Sequence, residues 1–568
     1  MPAPPATPGP AASRSAASQP AASRTAAAAG LHGSDAAGWP VDLEAAVQAN
    51  LPGFLLRQRW FPAKDAGAPT VALRAIEPVA VAGVPAAASI WRVQPPGRPP
   101  LHLFVALALV PESAADPTQV IARLPAAGAG GETRVVVEGF SVDAFVRAWV
   151  DLLLGEGPHG ADSRLRGGRS RELPAVGLLP GGDWPIRRSR AEQSNTSIRV
   201  GDGAIMKVIR KLEEGPHPEL EVGRFLTEEA GFTATPAMLA WADLDLPGED
   251  GGDTSLTLCV MQSFVPNDGD GWDWVLRQLA AAEGTSGTGD GGDGGDRTDN
   301  GSSAAAPSRS TRWLARLGER TAQMHRAFGI ATSDPDFAPE PVRREDLQAW
   351  TAAAHQMAKG ALDGLAGAAR LEPAATALYR SLQGQRDRLA ERLDDLLEAP
   401  AWQFAKTRHH GDYHLGQVLV ADGDAVIVDF EGEPMRPLAE RRAKHAAPRD
   451  VAGLLRSVSY AAAAAARALP DDLPADRRRQ ARQRLEAWER EACAGFLDAY
   501  LAAAQGMPGC PSDRDSALRL IRFFMLEKAL YEIAYELANR PTWVDIPLRG
   551  ILQLLQDDGA AVAGGAQS

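Results

Sequence analysis

HGDYHLGQ, at residues 410–417, is followed by a short hairpin-like pattern that ends in IVDF, at residues 427–430. Asp412 lies in a His-Gly-Asp turn, Gln417 follows five residues later, and Asp429 closes the second apolar run. Phosphoryl transfer needs a carboxylate near the attacking hydroxyl and oxygen ligands that hold magnesium on the phosphates. The spacing therefore predicts that Asp412 is the catalytic base and that Gln417 and Asp429 are metal ligands.

These residues have simpler interpretations when each is taken alone. An aspartate after His-Gly is more often a structural turn residue, and only the combination with the later amide and carboxylate favours catalysis by Asp412. We expect His410 to brace the loop through a hydrogen bond. We expect His409 to have no role in catalysis. Glu431 and Glu433 lie in the loop that begins at Asp429, which we call the metal loop. One of them could help to hold the ion, or both could be solvated acids.

The overall composition is that of a globular protein with an acidic surface. The net charge of −13 repels nucleic acid and anionic membranes, so we expect neither as a partner. Cys259, Cys493 and Cys510 are far apart in sequence and form no metal-spaced pair, which is typical of a reducing compartment. The longest apolar run, residues 103–110, is far shorter than a bilayer span. The sequence predicts a cytoplasmic protein.

Composition also divides the chain into units. Helical spacing over residues 43–61 precedes short apolar runs separated by Pro and Gly, which predicts a β-rich cap. A second unit contains Gly-Asp-Gly at residues 201–203, a strong hairpin signal. Helical patterns dominate from Arg312, and the Gly-, Asp- and Ser-rich residues 284–308 predict a flexible insertion. The predicted units are a disordered tail at 1–40, the cap at 41–150, a small nucleotide-binding lobe at 151–265, a helical catalytic lobe at 266–555 and a second tail at 556–568.

The catalytic segment resembles the aminoglycoside phosphotransferase branch of the protein-kinase-like fold, through its HGD turn at residues 410–412, Gln417 and Asp429. That branch has an asparagine where this chain has Gln417. The resemblance implies an α+β, bilobal, kinase-like fold, here with an added N-terminal β-rich cap. It also implies that ATP and Mg²⁺ are the cofactors.

Longer strings resemble the maltokinase family, including the maltokinase domain of trehalose synthase fusions. The likeness covers most of residues 190–550. It implies transfer of the ATP γ-phosphoryl group to the anomeric hydroxyl of maltose, which gives maltose 1-phosphate for α-glucan and glycogen synthesis, with trehalose synthase as a possible partner. The matching strings are HGDYHLGQ at 410–417, DFEGEP at 429–434, EQSNTS at 192–197, PELEV at 218–222 and NRPTWV at 539–544.

The same resemblance assigns nucleotide-binding residues in the small lobe. Lys207 corresponds to the strand lysine that contacts phosphates, with Glu221 as its expected ion-pair partner and Glu219 as the fallback. The turn at residues 193–196 replaces a glycine-rich loop and could cap the phosphates, although a plain polar turn is nearly as good an interpretation. Residues 261–265 are expected to form the hinge that binds adenine. The residues assigned from these two segments are Ser194, Asn195, Thr196, Gln262, Phe264 and Val265.

The acceptor sugar is expected on the predicted helix that spans residues 526–537. Lys528, Tyr531 and Tyr535, together with Glu532 and Glu536, recur at three- and four-residue spacing and share one helical face. The pattern alone favours an ordinary amphipathic helix, whereas the resemblance implies that the lysine and the two tyrosines face the sugar. His414, in the catalytic loop, is assigned to the same acceptor site.

Three further features leave alternatives open. The basic run Arg441, Arg442 and Lys444 could meet an anionic phosphate or be solvated. Asp450 is expected to cap a helix and to bond back to the catalytic loop. The segment RQRWFPAK, at residues 57–64, also resembles maltokinases, but its role does not follow from the sequence.

Two rival functions remain open at this point. A related kinase for another acceptor, such as glucosamine, another amino sugar or an aminoglycoside, would need a strongly acidic acceptor pocket. A catalytically silent nucleotide-binding scaffold would have no need to keep Lys207, Asp412, Gln417 and Asp429 together.

Overall fold

The structure is a computed structural model that describes residues 43–124, 132–155, 157–158, 163–189, 194–248, 251–285, 308–368, 370–398 and 402–556. The two predicted tails and most of the predicted insertion at 284–308 lie outside these residues. Among the described residues, no helix combines the length and the apolar character needed to cross a bilayer.

The cap is a twisted antiparallel sheet covered by one helix. Its central strand, the third, is buried along nearly its whole length, because alternate side chains enter two different cores. Leu103, Val105 and Leu107 face the first helix, whereas Phe104 and Ala106 face the next lobe. The strand order is β1-β2-β3-β5-β4. The elements are α1 (Leu43–Arg57), β1 (Thr70–Val79), β2 (Ala86–Gln94), β3 (Leu101–Pro111), β4 (Val120–Leu124) and β5 (Arg134–Glu138).

The small lobe contains a seven-stranded antiparallel sheet with the order β6-β7-β12-β13-β10-β9-β8. Its first helix, α2, spans the predicted domain boundary at residue 150 and packs Trp149 into the core of this sheet. A strand that the sequence analysis did not predict, β12, pairs with β13. The elements are α2 (Asp143–Leu154), β6 (Gly157–Pro158), β7 (Leu165–Arg169), β8 (Ile186–Arg188), β9 (Thr196–Val200), β10 (Ala204–Val208), β11 (Lys211–Leu212), α3 (Pro218–Arg224) with a π-helical turn (Phe225–Glu229), β12 (Met238–Pro247) and β13 (Asp253–Ser263).

The third unit is helical, with the predicted functional hairpin inserted in it. That hairpin turns at Asp422 and Gly423, both with positive φ, as a tight two-residue turn requires. A further short strand pair, β14 with β15, was not predicted. The elements are α4 (Gly271–Thr285), α5 (Arg309–Phe328), β14 (Glu340–Pro341), α6 (Arg344–Gly367), α7 (Pro373–Gln383), α8 (Arg386–Glu398), β15 (Ala405–Lys406), β16 (Val418–Ala421), β17 (Asp424–Ile427), α9 (Leu438–Arg441), α10 (Pro448–Arg467), α11 (Ala475–Ala503), α12 (Arg514–Asn539) and α13 (Asp545–Gln556).

Two apolar cores hold the helical lobe together, and both contribute to the position of the catalytic segment. One joins α5, α10 and α11 to the β16–β17 hairpin, and the other joins α6, α8, α12 and α13. Tyr413 and Leu415 of the segment at 410–417 are buried in the first core. Because these two side chains point inward, the polar residues between and beside them are turned toward the cleft between the lobes.

Candidate active site

The catalytic loop is fixed from below by α10. The Asp450 carboxylate accepts hydrogen bonds from the backbone N–H groups of His410, at 2.7 Å, and Gly411, at 3.0 Å. His325 Nε2 lies 3.1 Å from the same carboxylate. The predicted bond from Asp450 back to the loop is therefore confirmed. The predicted helix-capping position is wrong, since α10 begins at Pro448 and Asp450 is its third residue.

His410 has the bracing role that the sequence predicted. Its Nε2 donates to the carbonyl of Val428, at 2.9 Å, and thereby ties the catalytic loop to the metal loop. His409 points the other way, into a buried environment near His445, where burial lowers its pKa to about 4. A neutral, buried imidazole on that side does not enter the cleft.

Asp412 opens into a cavity on the acceptor side of the loop. Its side chain keeps about a quarter of its surface exposed, and His414 Nε2 lies 3.9 Å from its Oδ2. Burial lowers the pKa of His414, although the nearby Asp412 carboxylate acts in the opposite direction. The Asp412 carboxylate thus lies beside an imidazole that is poorly suited to carry a charge, and it faces open space where an acceptor hydroxyl could bind.

Asp429 lies on the other side of the loop, between Lys207 and Gln417. Lys207 Nζ is 2.5 Å from Asp429 Oδ1, and Gln417 Nε2 donates to Oδ2 at 2.8 Å. Burial alone would raise the pKa of Asp429, but the Lys207 ammonium and the Gln417 amide hold it below its ordinary value. The sequence placed Asp429 at the end of a strand, which is wrong. The strand ends at Ile427, and Asp429 adopts φ of 70° two residues later, which turns its side chain toward Lys207.

Three carboxylates meet at this point and could hold a divalent ion. Oxygen atoms of Glu219, Asp429 and Glu431 all lie within 4.8 Å of one another. Glu219 is almost fully buried, burial raises its pKa to about 7, and its Oε2 has no hydrogen-bond partner among the described residues. Carboxylate oxygens with the Gln417 amide oxygen are the hard donors that Mg²⁺ takes. The donor set and the unpaired buried oxygen therefore fit a magnesium ion.

Glu221 is not the partner of Lys207, and that prediction is wrong. The Glu221 carboxylate binds Arg408 at 2.5 Å and Arg442 through two bonds of 2.9 Å. Residues two apart on a helix point to different sides, so Glu219 faces the phosphate side of α3 and Glu221 faces the helical lobe. Lys207 instead contacts Asp429 and Glu431, the latter at 2.7 Å.

The basic run after the metal loop is paired with carboxylates of neighbouring segments. Arg441 pairs with Glu213, and its side chain is only 5% exposed. Lys444 pairs with Glu340 at 2.7 Å. These charges hold surrounding segments together, so the interpretation as a solvated run is wrong for Arg441 and Lys444, and a contact with phosphate stays a prediction.

The predicted phosphate-capping turn lies against the metal loop. Asn195 is buried, and its Nδ2 donates to Glu431 Oε1 at 2.8 Å. Thr196 Oγ1 accepts from Arg210 Nε at 2.9 Å, while Ser194 is exposed toward the cleft. Gln193, the first residue of that turn, lies outside the described residues. Asn195 thus reaches the Lys207 site through Glu431, while phosphate binding by Ser194, Asn195 and Thr196 stays a prediction.

The predicted hinge is partly occupied by bonds within the protein. Gln262 Nε2 donates to Glu219 Oε1 at 3.1 Å. The Phe264 N–H donates to the Gly203 carbonyl at 2.8 Å, and the Val265 carbonyl accepts from Asn267 Nδ2 at 2.8 Å. These bonds do not use the Phe264 carbonyl or the Val265 N–H, so the adenine contacts at Phe264 and Val265 stay a prediction.

The acceptor side is a cavity of about 480 Å³ that contains every residue assigned to it from the sequence. Tyr531 donates a hydrogen bond to Glu433, and Lys528 Nζ lies 5.0 Å from the Tyr531 ring centre. Tyr535 is 47% exposed and Met435 is 88% exposed, so both lie at the rim. The lining residues are Trp272, Asp412, Tyr413, His414, Glu433, Pro434, Met435, Gly453, Ser457, Tyr460, Lys528, Tyr531, Glu532, Tyr535, Glu536 and Arg540.

The two glutamates of α12 that line the cavity, Glu532 and Glu536, have structural partners. Glu532 forms a buried pair with Arg456, at 2.8 Å. Glu536 accepts from Tyr460 at 3.1 Å and pairs with Arg540 at 2.6 Å. Their carboxylates fasten α12 to α10 and to the chain that follows. Lys528 and Tyr531 lie on the side of α12 that faces the cavity.

The sequence analysis missed the contribution of α10 to the acceptor wall. Gly453, Ser457 and Tyr460 line the cavity, and Ser457 Oγ accepts the backbone N–H of Leu415 at 3.1 Å. The signal was present, because positions 450, 453, 457 and 460 recur at three- and four-residue spacing and share one helical face.

Known proteins resemble this chain in sequence and in fold. Residues 186–432, which include Lys207, Asp412 and Asp429, match the family model described as the phosphotransferase enzyme family. Glucosamine kinase of Streptacidiphilus jiangxiensis is 28% identical over 374 residues, which are 64% of this chain and 72% of the relative. Glucosamine kinase of Mycolicibacterium smegmatis is 27% identical over 389 residues, 66% of this chain and 83% of the relative.

The solved structures give the same result for the fold. A glucosamine kinase in complex with glucosamine, ADP and inorganic phosphate matches with a TM-score of 0.58 and 22% identity, over 90% of this chain and 99% of the other. A second crystal form gives a TM-score of 0.60. The predicted bilobal kinase-like α+β fold is therefore confirmed, and a phosphotransferase is supported. The named relatives are glucosamine kinases, so the finer prediction of a maltokinase gains no support from them.

Proposed function

We propose that this phosphotransferase uses ATP to phosphorylate a hydroxyl group of a sugar or amino sugar, with glucosamine as the first acceptor to test. The observation that carries the proposal is the division of the catalytic loop into two sides. Asp412 faces the acceptor cavity, while Asp429, Gln417 and Lys207 meet on the opposite side. The names of the relatives support an amino sugar as acceptor.

The roles of the residues follow from this arrangement. Asp412 accepts the proton of the acceptor hydroxyl as the phosphoryl group is transferred. Lys207 and the turn at Asn195 orient the nucleotide phosphates. Asp429 and Gln417 would hold magnesium, which neutralises charge on the phosphates when it is bound. Tyr413 is buried beneath the loop, and a hydrogen bond between its hydroxyl and Thr321 Oγ1 keeps the loop rigid.

The charges of the acceptor cavity favour an acceptor that carries an amine. The carboxylates of Asp412 and Glu433 line the cavity, and the pKa of Glu433 is held below its usual range by Tyr531 and Arg436, although burial acts against this. An ionised carboxylate attracts the ammonium group of an amino sugar. Lys528 is the opposing charge, and it leans over the Tyr531 ring.

Maltose is a second candidate because of the size of the cavity. A volume of about 480 Å³ lies within the range of ~300–1,000 Å³ typical of pockets that bury drug-sized ligands. Trp272 and Tyr535 line it away from the catalytic aspartate, where their faces could contact a second sugar ring. A partnership with trehalose synthase, implied by the resemblance in sequence, gains no support from the relatives.

The test is ADP release with a panel of acceptors. Wild-type protein, ATP and magnesium are assayed with glucosamine, maltose and glucose, and we expect turnover with glucosamine or maltose. Asp412→Asn should lower turnover by about 10²–10⁴-fold while the affinity for a magnesium–ATP analogue is nearly unchanged. Asp422→Asn, in the exposed hairpin turn of the same segment, is the matched control and should behave as wild type.

Two results would contradict the proposal. Near-normal turnover in Asp412→Asn would exclude this residue as the base. Nucleotide binding without turnover on any acceptor would favour the silent scaffold that the sequence left as an alternative.

A further inference from the structure

Arg210 is a fully buried cation at the junction of the cap and the small lobe. Its side chain is 2% exposed and pairs at 2.8 Å with Glu138, the last residue of β5 in the cap, whose side chain is 4% exposed. The Arg210 guanidinium also lies 5.0 Å from the ring centre of Trp60. Trp60 belongs to the segment at residues 57–64 for which the sequence gave no role. A buried arginine requires such a partner, because an unpaired charge in the interior is strongly destabilising.

The backbone around Arg210 passes from one sheet to the other. Lys207 lies on β10 in the small-lobe sheet, and the Arg210 carbonyl accepts from Phe104 N–H of the cap at 2.9 Å. The next two residues, β11, pair with β3 of the cap. The strand that carries Lys207 therefore continues into the cap sheet within four residues, so the two sheets cannot shift independently at this point.

The Arg210 side chain reaches the phosphate-capping turn on its other side. Its Nε donates to Thr196 Oγ1 at 2.9 Å, and its backbone N–H donates to Asn195 Oδ1 at 3.4 Å. Asn195 Nδ2 in turn donates to Glu431 Oε1, which lies 2.7 Å from Lys207 Nζ. A continuous series of polar contacts thus connects the cap to the Lys207 site.

This turn depends on side chains for its shape. Kinase-like proteins with a glycine-rich loop shape the phosphate cover through the backbone, whereas this chain has Ser194, Asn195 and Thr196 there. Asn195 is buried and bonded at both ends of its amide, to Arg210 and to Glu431. The bond to Asn195 comes from the Arg210 backbone, whereas the bond to Thr196 comes from its side chain, so a loss of that side chain would free the Thr196 end of the turn.

We propose that Arg210 is a positioning residue for the nucleotide, held by Glu138 and Trp60 of the cap, and that the cap thereby sets the affinity of the phosphate site. The Arg210 side chain acts through Thr196, beside the Asn195 that the Arg210 backbone N–H holds, and it does not itself touch the nucleotide. This inference rests on the proposed function only in requiring that the Lys207 site binds a nucleotide.

The test compares two cap glutamates that each pair with an arginine outside the cap. Glu138→Gln removes the charge that holds Arg210. Glu77→Gln, the matched control, removes the partner of Arg164 at 2.5 Å, a cap-to-lobe pair with no contact to the turn. Affinity for magnesium–ADP is measured by calorimetry well below the unfolding temperature. We expect about tenfold weaker binding in Glu138→Gln, as for a lost hydrogen bond to a charged group, and wild-type affinity in Glu77→Gln.

A double variant separates positioning from stability. Glu138→Leu combined with Arg210→Met replaces the buried pair with apolar side chains, a change that often preserves stability. We expect this variant to fold and yet to bind magnesium–ADP about tenfold more weakly, because Thr196 has lost its donor. In the acceptor assay the KM for ATP should rise while the KM for the sugar is unchanged.

The possible results distinguish the positioning role of Arg210 from a general loosening of the cap and from a failure of the proposed function. Wild-type affinity in the double variant, or in a folded Glu138→Gln variant, would overturn the positioning role. Equal losses in Glu138→Gln and Glu77→Gln would assign the effect to general loosening of the cap and would also overturn it. Failure of the wild-type protein to bind magnesium–ADP would instead defeat the proposed function.

Discussion

Asp450 shows how a single buried carboxylate can determine the geometry of a reaction centre. Two consecutive backbone N–H groups, from His410 and Gly411, point at its two oxygens, and His325 closes the third side. Burial would raise its pKa, but these hydrogen bonds and the surrounding histidines hold the pKa well below its usual range. The carboxylate thus stays ionised at any working pH, and the loop that presents Asp412 has a permanent anchor.

Asp243 represents the opposite case and allows a pH-dependent test. It lies on β12, where burial raises its pKa to about 6 although the Thr257 hydroxyl donates to it at 2.7 Å. A carboxyl group whose folded pKa is raised holds its proton more tightly when the protein is folded. Its contribution to stability is therefore complete below about pH 4 and is lost as the pH rises through 6.

We expect Asp243→Asn to remove this dependence. Between pH 4 and pH 8 the wild type should lose about 2 kcal/mol relative to the variant, since each unit of pKa difference is worth about 1.4 kcal/mol and the carboxyl is partly hydrated. Urea unfolding at several pH values measures this difference. Parallel stability curves for the two proteins would show that Asp243 titrates normally.

Residue types and spacing were sufficient to find the chemical groups, but the pairing of those groups was not visible in the sequence. Asp412, Gln417 and Asp429 could be placed because phosphoryl transfer restricts which side chains can serve. The choice between Glu219 and Glu221 could not be made, because it depends on the rotation of α3 against a lobe more than a hundred residues away. Long-range ion pairs carry no local sequence signal.

Among the elements, the close approach of α10 to the catalytic loop leads to a second prediction. Gly453 lies directly under the loop, and a Cβ atom there would be 2.8 Å from the carbonyl oxygen of Tyr413. Since that oxygen belongs to the backbone, Gly453→Ala must displace the loop or the helix. We expect kcat to fall by about tenfold or more, because misplacing reacting groups by a fraction of an ångström is costly.

Gly495→Ala is the matched control on α11. Its Cβ would meet only Ala315, at 4.0 Å, so no backbone has to move. An alanine in a helix is favoured over glycine by about 0.5–1 kcal/mol, and activity should be unchanged. Unaltered kcat in Gly453→Ala, measured beside this control, would mean that the loop tolerates the displacement.

Elements with strong turn signals were predicted well, and others were not. The hairpins at residues 201–203 and 422–423 follow from their Gly and Asp residues, of which Gly201, Asp422 and Gly423 adopt positive φ. β12 was missed although Met238–Pro247 alternates in part between buried and more exposed side chains, and its acidic residues Asp243 and Asp245 are of a type that is depleted in strands. The left-handed backbone conformation of Asp429 could not be predicted from the sequence, since a non-glycine residue seldom adopts it.

At the scale of the whole molecule, charged contacts between the small lobe and the helical lobe hold the cleft together. Carboxylates on α3 and on the segment before it face arginines of the helical lobe, and Lys207 of β10 faces carboxylates of the metal loop. Apolar packing supports the same edge, where Phe225 stacks on Phe337 with ring centres 4.1 Å apart, so the ion pairs act together with a shared apolar core. The contacts are Glu213 with Arg441, Glu221 with Arg408 and Arg442, and Lys207 with Asp429 and Glu431.

Glu221 is the residue on which this arrangement depends most. Arg408 is only 2% exposed, and its guanidinium pairs with the Glu221 carboxylate at 2.5 Å. We expect Glu221→Gln to lower the free energy of unfolding by about 3 kcal/mol, the lower end of the cost of breaking a buried pair. Asp336→Asn removes the other, exposed partner of Arg442, at 2.8 Å, and should cost no more than about 0.5 kcal/mol. Thermal unfolding and magnesium–ADP titration of both variants check this.

Since Lys207 does not contact Glu221, nucleotide binding should survive in a folded Glu221→Gln variant. A complete loss of binding at full stability would instead support the Lys207–Glu221 pair that the sequence first suggested.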